Sequence, residues 1–116
     1  MSTTDLKALD ESDKQLKVLV ERGEALERLK SNRDFKKLIL KDYFEQEAIR
    51  LVHLKADINQ QDEKSQKFIV NQMDAIGNLH SYLQTVEFMA KRARVGLADN
   101  EETRAEILED EGEVNV

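Results

Sequence analysis

Apolar residues recur at helical spacing along most of the chain. Leu9, Leu16 and Gly23 fall seven apart, and Leu19 and Leu26 repeat on the adjoining seam behind polar Ser12. Leu6, Val20 and Leu29 widen this stripe. The heptad spacing predicts a helix over about residues 4–30. Gly23 lies inside it and costs about 1 kcal/mol against Ala, which points to a close contact, a bend or a short break. In "LKSNRDF", Ser31 or Asn32 can cap a second helix, with Asp34 in its first turn.

The second helix, about residues 33–56, carries two apolar stripes. One holds Phe35, Leu38, Ile39, Ile49, Val52 and Ala56; the other holds Leu40, Phe44, Leu51, Leu54 and Ile58. At 100° per residue, Phe35 and Leu40 point roughly 140° apart. A helix apolar on two sides is sandwiched in a bundle or shared with another chain. The expectation is therefore that Phe35, Leu38, Ile49 and Val52 face the core, while Leu40, Phe44, Leu51, Leu54 and Ile58 face a neighbour.

"DINQQDEKS" reads as a polar turn in which Asp57, Asn59 or Asp62 can cap. A third helix follows over about residues 62–95. Ile69, Ile76, Leu83, Ala90 and Leu97 share one heptad position, and Leu79, Val86 and Ala93 its partner, with Gln72 as the polar exception. Ile69, Ile76, Leu79, Leu83 and Val86 thus complete the expected core. "KRARVG" supplies bases in a last turn and Gly96 as a left-handed cap. Asp99 followed by Glu102 then resembles a capping box for a short helix over about 100–111, with a loose end beyond it.

The expected fold class is all-α: an elongated antiparallel hairpin or three-helix bundle over residues 1–98, packed like a coiled coil, followed by an acidic segment over 99–116. Composition agrees, with 36% charged residues, 5% aromatics and no Pro. No Cys is present, which removes disulfides, thiolate metal sites and a Cys nucleophile. The polar start is unlike a signal peptide, and no apolar run reaches the roughly 18 residues that span a bilayer. No membrane association is expected.

Charge is uneven. Residues 99–116 hold eight acids against Arg104 alone, so they account for more than the whole net charge of -6. Such a segment suits a basic protein surface and repels nucleic acid; the alternative is a solubilising end without a partner. Two basic clusters oppose that trend, Arg28, Lys30, Arg33, Lys36 and Lys37 in "RLKSNRDFKK" and Lys91, Arg92 and Arg94 in "KRAR". They are candidate phosphate contacts, although no aromatic interleaving or recognition-helix pattern accompanies them. Helix-terminal bases complementing carbonyl ends are the plainer reading.

Chemistry-bearing motifs are few. There is no Gly-rich phosphate loop and no H-E-x-x-H or Glu-x-x-His motif, and His53 and His80 lack convergent ligand types. No cofactor, metal or catalytic residue is expected. The carboxylates fall at salt-bridge spacing to bases, as in Asp10 with Lys14 and Glu47 with Arg50.

The wording of "ERGEALERLKSNRDFKKLILKDYFEQEAIRLVHLKAD" and of "FIVNQMDAIGNLHSYLQTV" resembles small, all-helical, coil-containing virion-associated proteins of tailed bacteriophages, over residues 20–86. The resemblance rests on the Leu-rich lead-in, "NRDFKK", "AIRLVHL" and "MDAIGNL", and transfers no site residues. It implies a component or assembly factor of the head, neck or portal region, made in the host cytoplasm and located in the virion. The two-faced second helix independently predicts a homo-oligomer or a subunit of a larger assembly. The rival readings are a DNA-packaging adaptor or other nucleic-acid module, and a small regulator of a host protein.

Overall fold

The computed structural model describes residues Ser2–Val114, with side chains for residues 3–112. The fold is all-α, and no strand occurs among the described residues. Helix α1 spans Ser2–Ser31 and α2 Arg33–Phe35; a π-helix follows over Lys36–Glu47, then α3 over Ala48–Ala56, a 3-10 turn over Ile58–Gln60, and α4 over Glu63–Val114. The chain divides into two compact units, one formed by the chain up to Ala25 together with the chain from Val86, the other by Leu26–Thr85. No boundary falls at residue 98.

In the first unit, α1 and α4 form an antiparallel helical hairpin. Gly23 lies against Ala90, Leu16 against Gly96, and Asp13 and Asp10 against Asn100 and Arg104, so each step down α1 is matched by a step up α4. Small residues bring the helices close: a β-carbon added at Gly23 would lie 2.2 Å from that of Ala90, and one at Gly96 would lie 3.0 Å from Leu16 Cδ1. Val86, Ala90 and Ala93 are buried along this face.

Gly96 does not end the helix. No glycine among the described residues has a positive φ, and α4 continues through Gly96, Asp99 and Glu102 to Val114. The absent side chain serves packing against Leu16 rather than a left-handed cap. The separate helix expected over 100–111 is instead the continuation of α4. Of the expected loose end, residues 112–114 are helical, and residues 115–116 lie outside the described residues.

The second unit pairs the segment from Arg33 to Ala56 with the first part of α4. Asn32 opens it: its backbone is extended and its side chain accepts a hydrogen bond from the Phe35 amide at 2.9 Å. At the other end Asp57 accepts from the Asn59 amide at 2.8 Å. Asp62 accepts from the Ser65 amide at 3.0 Å as α4 begins. The Gln66 side chain donates to the Lys55 and Gln60 carbonyls at 3.0 and 2.8 Å, satisfying acceptors left open at the ends of α3 and of the 3-10 turn.

The core here is Leu51, Ile69 and Ile76, with Tyr43, Phe44, Ala48, Leu54 and Met73 packed around it. Within one chain this exchanges part of the two stripes: Leu51, expected toward a neighbour, is in the core, and Leu38, Ile49 and Val52, expected in the core, lie outside, while Phe35 stays on the inner side. Leu51 is fully buried, with Phe44 and Leu54 beside it, whereas Leu38, Ile49 and Val52 are 59%, 52% and 54% exposed. Leu40 is half-buried and Ile58 exposed.

The cause is the twelve-residue π-helix. Its i→i+5 hydrogen bonds widen the turn to about 4.4 residues, or roughly 80° per residue. A continuous α-helix would set Phe35 and Leu51 about 160° apart; the wider turns bring them within about 60°. Phe35, Ile39, Tyr43, Phe44 and Ala48, all half-buried, therefore follow Leu51 on one side. Along α3, Ile49 and Val52 point about 160° and 100° away from Leu51 and so lie outside.

Candidate interaction surface

On α4, Ile69 is followed into the core by Met73 and Ile76, and Leu83 is half-buried. That choice of flank leaves Leu79 on the other side of Ile76, where it is 37% exposed rather than in the core. Phe68 and Tyr82 are more open still, at 60% and 56%. Phe68, Gln72, Ala75, Leu79 and Tyr82 are spaced four, three, four and three residues apart, and all are exposed. They form a continuous seam on one flank of the helix.

Its surroundings are unusual for this chain. Between residues 68 and 85 the one charged residue is Asp74, although 36% of the whole chain is charged. Exposed helix surface is ordinarily covered with charge; loss of charge around exposed aromatic and aliphatic side chains is the compositional mark of protein interfaces. Of these residues Leu79, with Gln72 as its polar exception, belongs to a heptad position expected in the core. The exposure of one flank is visible only once the core partner of Ile69 is known to be Met73.

The first basic cluster is exposed throughout. Arg33, Lys36 and Lys37 line an open depression with Ser31 and Lys41, which lies one helical turn beyond the cluster in sequence. Arg28 and Lys30 stand in the last turn of α1, where they complement its carbonyl end. The second cluster has local contacts: Lys91 pairs with Glu87 at 3.8 Å, the Arg92 guanidinium lies 5.8 Å from the centre of the Phe88 ring, and the Arg94 guanidinium lies beside Gly23.

The acidic segment is tied to α1 by a polar node that spacing could not reveal. The Asn100 amide donates to Ser12 Oγ at 3.1 Å and to Asp13 Oδ1 at 2.9 Å. Arg104 donates to Asp13 Oδ2 at 2.8 Å and Asp10 Oδ1 at 3.1 Å. The Asn100 hydrogen bond, then that of Arg104, holds the Asp13 carboxyl below its usual range; the bond to Asp13 in turn favours the charged guanidinium. The only base of the segment is thus engaged internally, while Asp99, Glu101, Glu102, Glu106, Glu109 and Asp110 face outward.

The His80 and Phe44 rings stand nearly perpendicular with their centroids 5.2 Å apart, and His53 is exposed. Among the described residues no three His, Cys, Asp or Glu side chains converge on a common point, and no helix is long and apolar enough to cross a membrane. Comparison of the chain with protein-family models, with curated proteins and with solved structures returns no match.

Proposed function

We propose that the chain is a non-enzymatic structural or assembly protein that works by docking helix faces, as a component of a tailed-phage particle in the head, neck or portal region. The observation that carries the docking role is the exposed Phe68–Leu79–Tyr82 seam on a nearly charge-free stretch of α4. Burying such a surface yields about 25 cal/mol per Å² of apolar area, and leaving it in water gives nothing. The phage context rests on the resemblance over residues 20–86. In this reading the α1–α4 hairpin, with its coiled-coil-like packing, is the scaffold, and the outward acids of 99–112 either meet a basic protein surface or keep copies apart before assembly.

Mass spectrometry of purified particles of the encoding phage tests this role. The protein should be present at a fixed copy ratio to the major structural proteins. Its absence from particles and from their assembly intermediates would remove the structural role.

The depression lined by Arg33, Lys36, Lys37 and Lys41 favours a second reading, contact with nucleic-acid phosphates as in a DNA-packaging adaptor. Affinity for duplex DNA would then fall steeply with salt and weaken on Lys37→Glu with Lys41→Glu. No binding at low salt excludes it.

A further inference from the structure

We infer that copies of this chain associate head to tail, the acidic stripe of one copy's α4 docking along the basic row of residues 33–41 on the next. This rests on the docking role proposed above and deepens it, because the basic protein surface that the acids meet becomes a second copy of the chain.

The acids share one face. At 100° per residue, Asp99, Glu102, Glu106, Glu109 and Asp110 fall within about 100° of arc on α4. That arc is centred about 150° from Asn100 and Arg104, which tie the other side of the helix to α1. All five are exposed, and none forms an ion pair among the described residues.

The bases share a face too. Arg33, Lys36, Lys37 and Lys41 line one depression to which no carboxylate contributes. With 100° per residue up to Lys36 and about 80° through the π-helix, they fall within about 80° of arc. Phe35, Ile39 and Tyr43 lie on the other side of the segment, half-buried. All four bases are exposed, and none is ion-paired among the described residues. Like charges this close repel one another, and a facing row of carboxylates relieves all four at once.

Charge complementarity selects a second copy as the occupant. Residues 99–116 hold eight acids against Arg104, a net charge of -7, so the rest of the chain carries +1 of the total of -6. One copy's acidic segment is therefore attracted to another copy's body, although whole chains repel. The spacing agrees: Arg33, Lys37 and Lys41 stand four residues apart, as do Glu102, Glu106 and Asp110, so both rows have the same span in residues. A nucleic-acid duplex instead carries one charge per about 1.7 Å along its whole length, and it would overrun the short row onto a chain of negative net charge. The stripe and the row belong to different compact units, so they are different surfaces and the contact is heterologous. Each copy offers its stripe to one neighbour and its row to the next.

Sedimentation velocity of the full chain tests this. In about 20 mM salt the weight-average mass of the parent should rise above 13.4 kDa as the concentration is raised to hundreds of micromolar. In about 0.5 M salt, where charges are screened beyond about 5 Å, the association should weaken at least about tenfold. Lys37→Glu with Lys41→Glu, and separately Glu102→Lys with Glu106→Lys, should each give a monomer of unchanged helicity. Mixing the two variants should restore association, because one keeps the native stripe and the other the native row.

A parent that stays monomeric in low salt overturns the inference, and duplex DNA retained by that monomer would assign the row to the phosphate reading. Association that keeps its strength in high salt or in either double reversal overturns it as well, as does a mixture that remains monomeric. The particle measurement stands apart: a virion protein that is monomeric in low salt defeats the head-to-tail contact alone, whereas absence from particles defeats the wider structural role.

Discussion

Gly23 and Ala90 approach so closely that a β-carbon on the glycine would fall 2.2 Å from the alanine methyl group. The neighbouring atom is a side-chain stub on a helix backbone, so it cannot swing aside, and the helices themselves must part. Gly23→Ala should therefore lose about 1–3 kcal/mol despite the better helix propensity of alanine. Gly77 is the control: nothing lies within 4 Å of its would-be β-carbon, and Gly77→Ala should gain about 0.5–1 kcal/mol. Urea unfolding midpoints of the two variants should move in opposite directions.

The partly exchanged stripes give a second pair. Leu51 is fully buried and Val52 is 54% exposed. Leu51→Ala should cost about 2–5 kcal/mol, whereas Val52→Ala should stay within about 0.5 kcal/mol. Equal losses at both positions in chemical denaturation would contradict the orientation of α3.

Acid should release the node around Asp13. A carboxyl whose folded pKa is depressed contributes stability above its unfolded pKa of about 3.9 and loses it as pH falls through the folded value. Asp13→Asn should thus be less stable than the parent at neutral pH, and the gap should close progressively below about pH 4. Thermal melts of both proteins across the acid range check this; a gap that persisted in acid would mean that shape rather than charge matters at position 13.

Asn32 closes the N-terminus of the second helical segment with one side-chain hydrogen bond. Asn32→Ala should cost about 1 kcal/mol, and Asn32→Asp should recover most of it. Amide exchange at Phe35, the donor in that bond, should speed up in the alanine variant and slow again in the aspartate one.

Local capping chemistry made the ends of elements readable. Asn32, Asp57 and Asp62 act on amides two or three residues away, so the interruptions near residues 32 and 57–62 follow from short stretches of chain. The inside of the second helix did not follow in the same way. Its apolar positions were legible, but assigning them to faces needed the angle per residue, and the π-helix changes that angle over Lys36–Glu47. Gly96 failed for a different reason. A glycine serves a helix cap and a close helix contact equally well, and only Leu16, eighty residues away in sequence, decides between them. The exposed seam on α4 shares its heptads with the core seam, so periodicity alone could not assign either to water.

The node of Ser12, Asp13, Asn100 and Arg104 has a consequence for alignment. Leucines and alanines repeating every seventh residue would let one rod slide along the other by whole heptads at modest loss. Hydrogen-bonding groups present once cannot be matched after such a slip: shifting α1 by seven residues would leave Asp13 and Arg104 without each other. One polar pin thus works as a vernier, spending a little adhesion to permit a single setting of the hairpin.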